Sequence, residues 1–203
     1  MLRYLSNIME QINKKKGYVN MEDLILLYSG GADSTLLLKL AHSMNRKVFA
    51  LMIDYGQLHS EELTFATKYC KDRKIPYQIV SIVNYNVNSA LTGSGEKALY
   101  EGVDIHNVPA RNTIFLSLAY GIAESKGITE IWFGANWEDY EHLFPDCYQE
   151  YIGRMNKVFE ISGVRPIKIY APLLGMQKYM VQALLKVYGV KDEEIYSGYG
   201  EFK

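Results

Sequence analysis

The sequence predicts an α/β protein: an open, mostly parallel five-stranded sheet with helices on both faces. Three observations predict it. Continuous apolar runs, first Leu24-Ile25-Leu26-Leu27-Tyr28 and then Val48-Phe49-Ala50-Leu51-Met52-Ile53, suit strands covered on both sides rather than a half-solvated sheet. These runs alternate with segments of helical periodicity, the pattern of parallel crossovers within one sheet. Residues with chemical capability follow the runs directly, at 29–34, 54–59 and 136–146, and open sheets bind ligands at the carboxyl ends of their strands.

In chain order, Leu5, Ile8, Met9 and Ile12 predict an amphipathic helix in an N-terminal extension over 1–22, stopped by Lys14-Lys15-Lys16-Gly17. The main domain is expected over 23–175, with a C-terminal helix and short tail over 176–203 packing on it. Strand 24–28 leads to a helix from about 33 to 44. Strand 48–53 leads to a helix over 60–74, with Leu63, Ala66, Tyr69 and Cys70 on one stripe. A third strand is expected over 77–83. Residues 84–107 combine Asn, Ser and Gly clusters with little periodicity, and so long a loop in a compact domain reads as a lid. Helices over 111–126, 147–161 and 176–188 and strands over 130–135 and 167–170 complete the alternation.

Composition excludes several classes. Lys and Arg number 22 against 23 for Asp and Glu, so no net field draws the chain to nucleic acid or anionic lipid. Two cysteines, Cys70 and Cys147, are too few for a disulfide framework or a four-cysteine zinc site. The start carries no signal-peptide pattern, and no apolar run reaches membrane-spanning length. The expectation is a cytoplasmic protein without membrane or nucleic-acid partners.

The strand-to-helix segment Ser29-Gly30-Gly31-Ala32-Asp33-Ser34 is the strongest chemical signal. Two glycines let the backbone N–H groups approach a ligand, the following helix adds its positive end, and Ser29, Ser34 and Thr35 supply hydroxyls. Together these make an anion site, although a tight turn with Asp33 and Ser34 capping the helix would read the same way. The full string resembles the phosphate loop of the ATP pyrophosphatase superfamily and lacks the Gly-Lys-Ser/Thr ending of a Walker loop. Within that superfamily, Asp54-Tyr55-Gly56-Gln57-Leu58-His59, Val108-Pro109-Ala110-Arg111-Asn112, Pro145-Asp146-Cys147 and the segment 172–178 look like the 7-cyano-7-deazaguanine synthase family of queuosine biosynthesis. The sequence departs from that pattern at Leu58, Ala110 and Tyr148, where the family usually has a basic residue, glycine and arginine. Its Ser197-Gly198-Tyr199 stands where the family begins a four-cysteine zinc site, so zinc is not expected.

The resemblance implies an adenine nucleotide alpha hydrolase-like, Rossmann-like fold and a reaction. ATP adenylates a deazapurine acid with loss of pyrophosphate, ammonia displaces AMP, and a second activation of the amide yields the nitrile. It implies ATP and Mg2+ as cofactors, the deazapurine acid and ammonia as small-molecule partners, and it admits a homodimer. Nucleotide contacts are expected from Tyr28, Ser29, Gly30, Gly31, Ala32, Asp33, Ser34, Thr35, Asp54 and Gln57, with Asp33 also a magnesium ligand. Asp33, Ser34, Arg111 and Lys178 are the candidate catalytic residues. Tyr55, His59, Asn112, Asp139, Asp146 and Cys147 are the candidate substrate contacts. Cys147 is read as either a thiol at the reaction centre or a small buried residue starting a helix. An offshoot stopping at the amide or passing activated deazaguanine to another acceptor, another adenylating enzyme, and a non-catalytic nucleotide-binding subunit stay open on sequence alone.

Overall fold

The computed structural model describes residues 23–57, 61–82, 89, 91, 108–141 and 144–196. The predicted N-terminal helix, His59, nearly all of the predicted lid and the tail over 197–203 lie outside these residues. Five strands, β1 (Leu24–Leu27), β2 (Val48–Asp54), β3 (Tyr77–Ser81), β4 (Glu130–Trp132) and β5 (Lys168–Tyr170), form one sheet in the order β3-β2-β1-β4-β5. Every described pairing is parallel, with Leu24 opposite Val48, Ile25 opposite both Phe49 and Ile131, and Leu26 opposite Trp132.

Because strand side chains alternate between faces, each apolar run feeds two cores at once. Leu24, Leu26, Val48, Ala50, Met52 and Trp132 pack with helices α1 (Ala32–Ser43), α2 (Glu61–Asp72) and α6 (Lys178–Val187). Ile25, Phe49, Leu51, Ile53 and Ile131 pack with α3 (Arg111–Lys126) and α5 (Gln149–Ser162). The chain builds outward from β1 to β3, then returns to place β4 on the other side of β1. The crevice at the carboxyl ends of β1 and β4 is therefore the topological switch point.

Element ends differ from the sequence reading where the chain must leave the ladder. β4 stops at Trp132 rather than Ala135, since Gly134 lies against Asp33 and the chain then enters a short helix, α4 (Trp137–Glu141), that periodicity did not reveal. A helix of that length has too few residues to show a stripe. Residues Pro145–Cys147 form a separate 3-10 turn before α5, and another covers Asp192–Glu194 after α6.

The opposite, amino-terminal end of the sheet is closed by charge. Trp132 is only 1% exposed, and its indole N–H donates to Glu130 Oε2 at 3.3 Å. Arg46 bridges the same carboxylate at 3.3 Å and Asp23 at 3.3 Å, joining the entries of β1, β2 and β4. Burial raises the Glu130 carboxyl above its ordinary range, with Arg46 and the Trp132 N–H acting against it. Removing the guanidinium leaves a buried carboxylate uncompensated, so Arg46→Ala is expected to cost about 3 kcal/mol in urea unfolding. A loss below about 1 kcal/mol, the range of exposed pairs, would contradict this.

Candidate active site

The Ser29–Ser34 loop sits at the switch point, and its shape follows from Gly30. This residue has φ +84°, in the left-handed region, and a Cβ there would lie 3.1 Å from Phe65 Cδ1 on α2. Gly31 is extended and caps α1 without a side-chain hydrogen bond. Around it the serines tie the loop together. Gly31 N–H donates to Ser29 Oγ at 3.3 Å, Ser29 N–H to Ser34 Oγ at 3.3 Å, and Ser34 Oγ–H to the Gly31 carbonyl at 3.1 Å. The 3.3 Å contacts are long, and a phosphate oxygen offers those donors a charged acceptor.

The amino ends of α1, α3 and α6 meet here, and carboxylates fill those of α3 and α6. Asp146 Oδ2 accepts Asn112 N–H at 3.1 Å at the start of α3, and Glu138 Oε1 accepts Lys178 N–H at 2.6 Å at the start of α6. Among the described residues no side chain caps the α1 end, so its N–H groups and dipole face the crevice. Asp33 in its first turn pairs with Lys178 Nζ at 3.6 Å, linking α1 to α6. Asp33 Oδ1 and Glu138 Oε2 are each enclosed and, among the described residues, have no hydrogen-bond partner. Burial raises the Asp33 carboxyl above its ordinary value of 3.8, with Lys178 and then Asn136 lowering it.

Asn136 and Asp139 cap α4 reciprocally. Asp139 N–H donates to Asn136 Oδ1 at 3.2 Å, and Asn136 N–H donates to Asp139 Oδ2 at 2.9 Å. Burial raises the Asp139 carboxyl, the hydrogen bond from Asn136 opposes that, and the charges of Asp33, Lys178 and Arg111 also reach it. Asp33, Lys178, Asp139 and Arg111 thus share one electrostatic neighbourhood beside the loop.

Other predicted residues take supporting places. Tyr28 packs its ring in the core, 5.9 Å from that of Tyr69. Thr35 is fully buried and donates to the Gly30 carbonyl at 3.4 Å, bracing the loop from behind. Asp54 accepts Gly56 N–H at 3.3 Å and Ser81 Oγ–H at 3.4 Å, and Gln57 Oε1 accepts Tyr55 N–H at 3.0 Å, so 54–57 make a turn of their own. The Tyr55 ring packs 5.3 Å from Phe115. Cys147 is buried and accepts from Asn112 Nδ2 at 3.3 Å. Burial, then the charges of Asp139 and Asp146, push its thiol well above the ordinary range, so it stays protonated at neutral pH.

Sequence reasoning missed Gly134 and, although it marked 136–146, singled out neither Asn136 nor Glu138. A Cβ on Gly134 would lie 3.1 Å from Asp33 Cβ and 3.5 Å from Ser34 N, so this glycine lets β4 abut the loop. Its signal was a glycine breaking an apolar run at a strand end. Asn136 with Asp139 three residues on was a readable capping box, whereas nothing local marked Glu138.

Two stability effects follow. Asp33 binds its proton more tightly folded than unfolded, so its charge costs stability above its raised value, and the cost disappears as pH falls below 3.8. Asp33→Asn should therefore melt higher than the parent at neutral pH, with the gap closing in acid. An unchanged or lower neutral-pH Tm would contradict the burial argument. Ala110, entering α3 at φ +54°, holds a left-handed conformation unfavourable to a residue with a Cβ. Ala110→Gly is expected to stabilise the protein by about 0.5–1 kcal/mol in denaturant unfolding, and a destabilised variant would contradict the strain.

Comparisons with known proteins agree on a family. The profile described as "Queuosine biosynthesis protein QueC" matches residues 23–203. A 7-cyano-7-deazaguanine synthase from Alteromonas mediterranea is 38% identical over 164 residues, 77% of this chain and 75% of that protein. One from Thermoplasma acidophilum is 36% identical over 186 residues, 86% of this chain and 78% of that protein. Among solved structures, an NH3-dependent NAD synthetase from Campylobacter jejuni aligns with TM-score 0.59 at 20% identity, covering 96% of this chain and 74% of that one. An NMN synthetase from Francisella tularensis gives 0.60 at 16%, covering 97% and 77%. These structures share the fold, an open parallel sheet of the adenine nucleotide alpha hydrolase type. With its Ser29–Ser34 loop at the switch point of that sheet, the chain belongs to the QueC family.

Proposed function

We propose that this chain is an ATP-dependent carbon–nitrogen ligase that converts 7-carboxy-7-deazaguanine to 7-cyano-7-deazaguanine with ammonia. The observation that carries the reading is the amino end of α1, joined to a glycine loop and without a side-chain cap among the described residues, where the neighbouring α3 and α6 ends are filled by carboxylates. It suits the pyrophosphate end of ATP.

A carboxylate is a poor electrophile at neutral pH, so its oxygen must first become a leaving group. Attack of that oxygen on the α-phosphate forms the acyl adenylate and expels pyrophosphate. Ammonia adds to the activated carbon and AMP departs, giving the amide. The amide oxygen attacks the α-phosphate of a second ATP with loss of pyrophosphate, and departure of AMP, with the two amide protons released, leaves the nitrile. The protein's part is placement and charge. Gly31 N–H and the Ser29 and Ser34 hydroxyls hold the departing pyrophosphate, and Lys178 and Arg111 offset charge around it. Asp139 faces the N–H edge of the base, and Asp146 holds the start of α3, which carries Arg111. Cys147 fills the core behind them and supplies no nucleophile.

The enclosed, unpartnered oxygens of Asp33 and Glu138 suit a hard cation. Asp33, with Glu138, would hold Mg2+, whose charge would offset that of the phosphates. Among the described residues no group of three or more His, Cys, Asp or Glu is placed to hold a metal, and no helix is long and apolar enough to cross a membrane.

Incubation with 7-carboxy-7-deazaguanine, ATP and ammonia should yield the nitrile by mass spectrometry, with AMP. A product stopping at the amide would assign the offshoot activity, and absence of AMP would contradict the proposal. Asp33→Ala and Gly31→Val should each abolish AMP formation while keeping the parent's circular dichroism spectrum. Turnover retained in either would remove the loop from the mechanism.

A further inference from the structure

The C-terminal strap that follows α6 reaches the phosphate loop from behind. Tyr196 N–H donates to the Gly30 carbonyl at 2.9 Å, the same oxygen that accepts from Thr35 Oγ1. The strap is fastened along its length. Tyr188 meets Ser43 of α1 at 3.4 Å, Glu194 pairs with Arg73, and the Arg73 guanidinium lies 3.7 Å over the Tyr69 ring. The Tyr196 ring packs 6.0 Å from that of Phe65, the side chain that a Cβ on Gly30 would meet.

Peptide planarity turns this anchor into an orientation. The Gly30 carbonyl and the Gly31 N–H belong to one peptide unit, and in a trans peptide they point in opposite directions. Holding the carbonyl back toward Tyr196 and Thr35 therefore aims Gly31 N–H forward, to the side where it meets Ser29 Oγ. Glycines on both sides of this peptide leave it easier to rotate than any other in the loop.

We propose that the main-chain N–H of Tyr196 is a positioning group for ATP: it fixes the Gly30–Gly31 peptide so that Gly31 N–H faces the pyrophosphate. This rests on the reading of the loop as a pyrophosphate site. The group never touches the ligand, so it acts on affinity through the loop.

Tyr196→Pro removes the donor. Ile195, at φ −125° and ψ 130°, already has the extended shape of a residue before proline. Tyr196→Ala removes the ring and keeps the donor. With inorganic pyrophosphate as the calorimetric probe and the ATP KM as the kinetic one, the proline variant should bind about tenfold more weakly, while the alanine variant stays within about twofold of the parent. The proline variant's kcat at saturating ATP should change far less than its KM. Equal pyrophosphate affinity in the parent and the proline variant overturns the proposal and leaves the loop assignment standing. A parent that binds no pyrophosphate overturns the loop assignment, and the proposal with it. Should the proline variant unfold, an ester in place of the 195–196 amide removes the N–H alone, and the same two outcomes decide.

Discussion

The rest of this structure depends on the left-handed turn at Gly30. At φ +84° the chain leaves β1 and enters α1 within a few residues, packed so closely on Phe65 and Ala66 that a side chain would not fit without a shift. That turn points the start of α1 into the crevice between β1 and β4. Anchored by Leu24–Leu27 at the middle of a sheet buried on both faces, it has little freedom to drift. Pre-organisation of this kind would let the proposed pyrophosphate contacts form without reordering the loop.

Around the turn the protein spends carboxylates in two ways. Asp146 and Glu138 satisfy helix amino ends, and in doing so hold α3 and α6 in place. Asp33 is instead kept beside Lys178 with one oxygen unmatched, at a cost that burial makes plain in its raised carboxyl. A group maintained against its own stability is expected where function requires it. Arg46 and Glu130 at the far end show the opposite case, a charge cluster that joins strand entries and lies away from the crevice.

Much of this was legible in sequence because it is local. The buried runs gave both cores, since alternation within Leu24–Leu27 and Val48–Ile53 decides which side chain meets which layer. The loop was contiguous from Ser29 to Ser34, so its glycines, hydroxyls and helix start could be read together. Thr35 and Cys147 were harder, because position in a motif does not say whether a side chain faces the ligand or the core behind it. Gly134 and Tyr196 escaped altogether, and Glu138 was not singled out within 136–146. Each acts through a partner distant in the chain, and only the sheet order brings them to the loop. Family membership now supports the expected chemistry independently of these residues.

In the proposed reaction the loop holds the β- and γ-phosphates as a unit while the substrate attacks the α-phosphate. The most direct test is to follow ATP labelled at the γ-phosphate during turnover with 7-carboxy-7-deazaguanine and ammonia. Label recovered in intact pyrophosphate, in step with AMP, is the predicted result. Label released as inorganic phosphate alongside ADP, with added pyrophosphate left uncleaved in a control, would contradict the account.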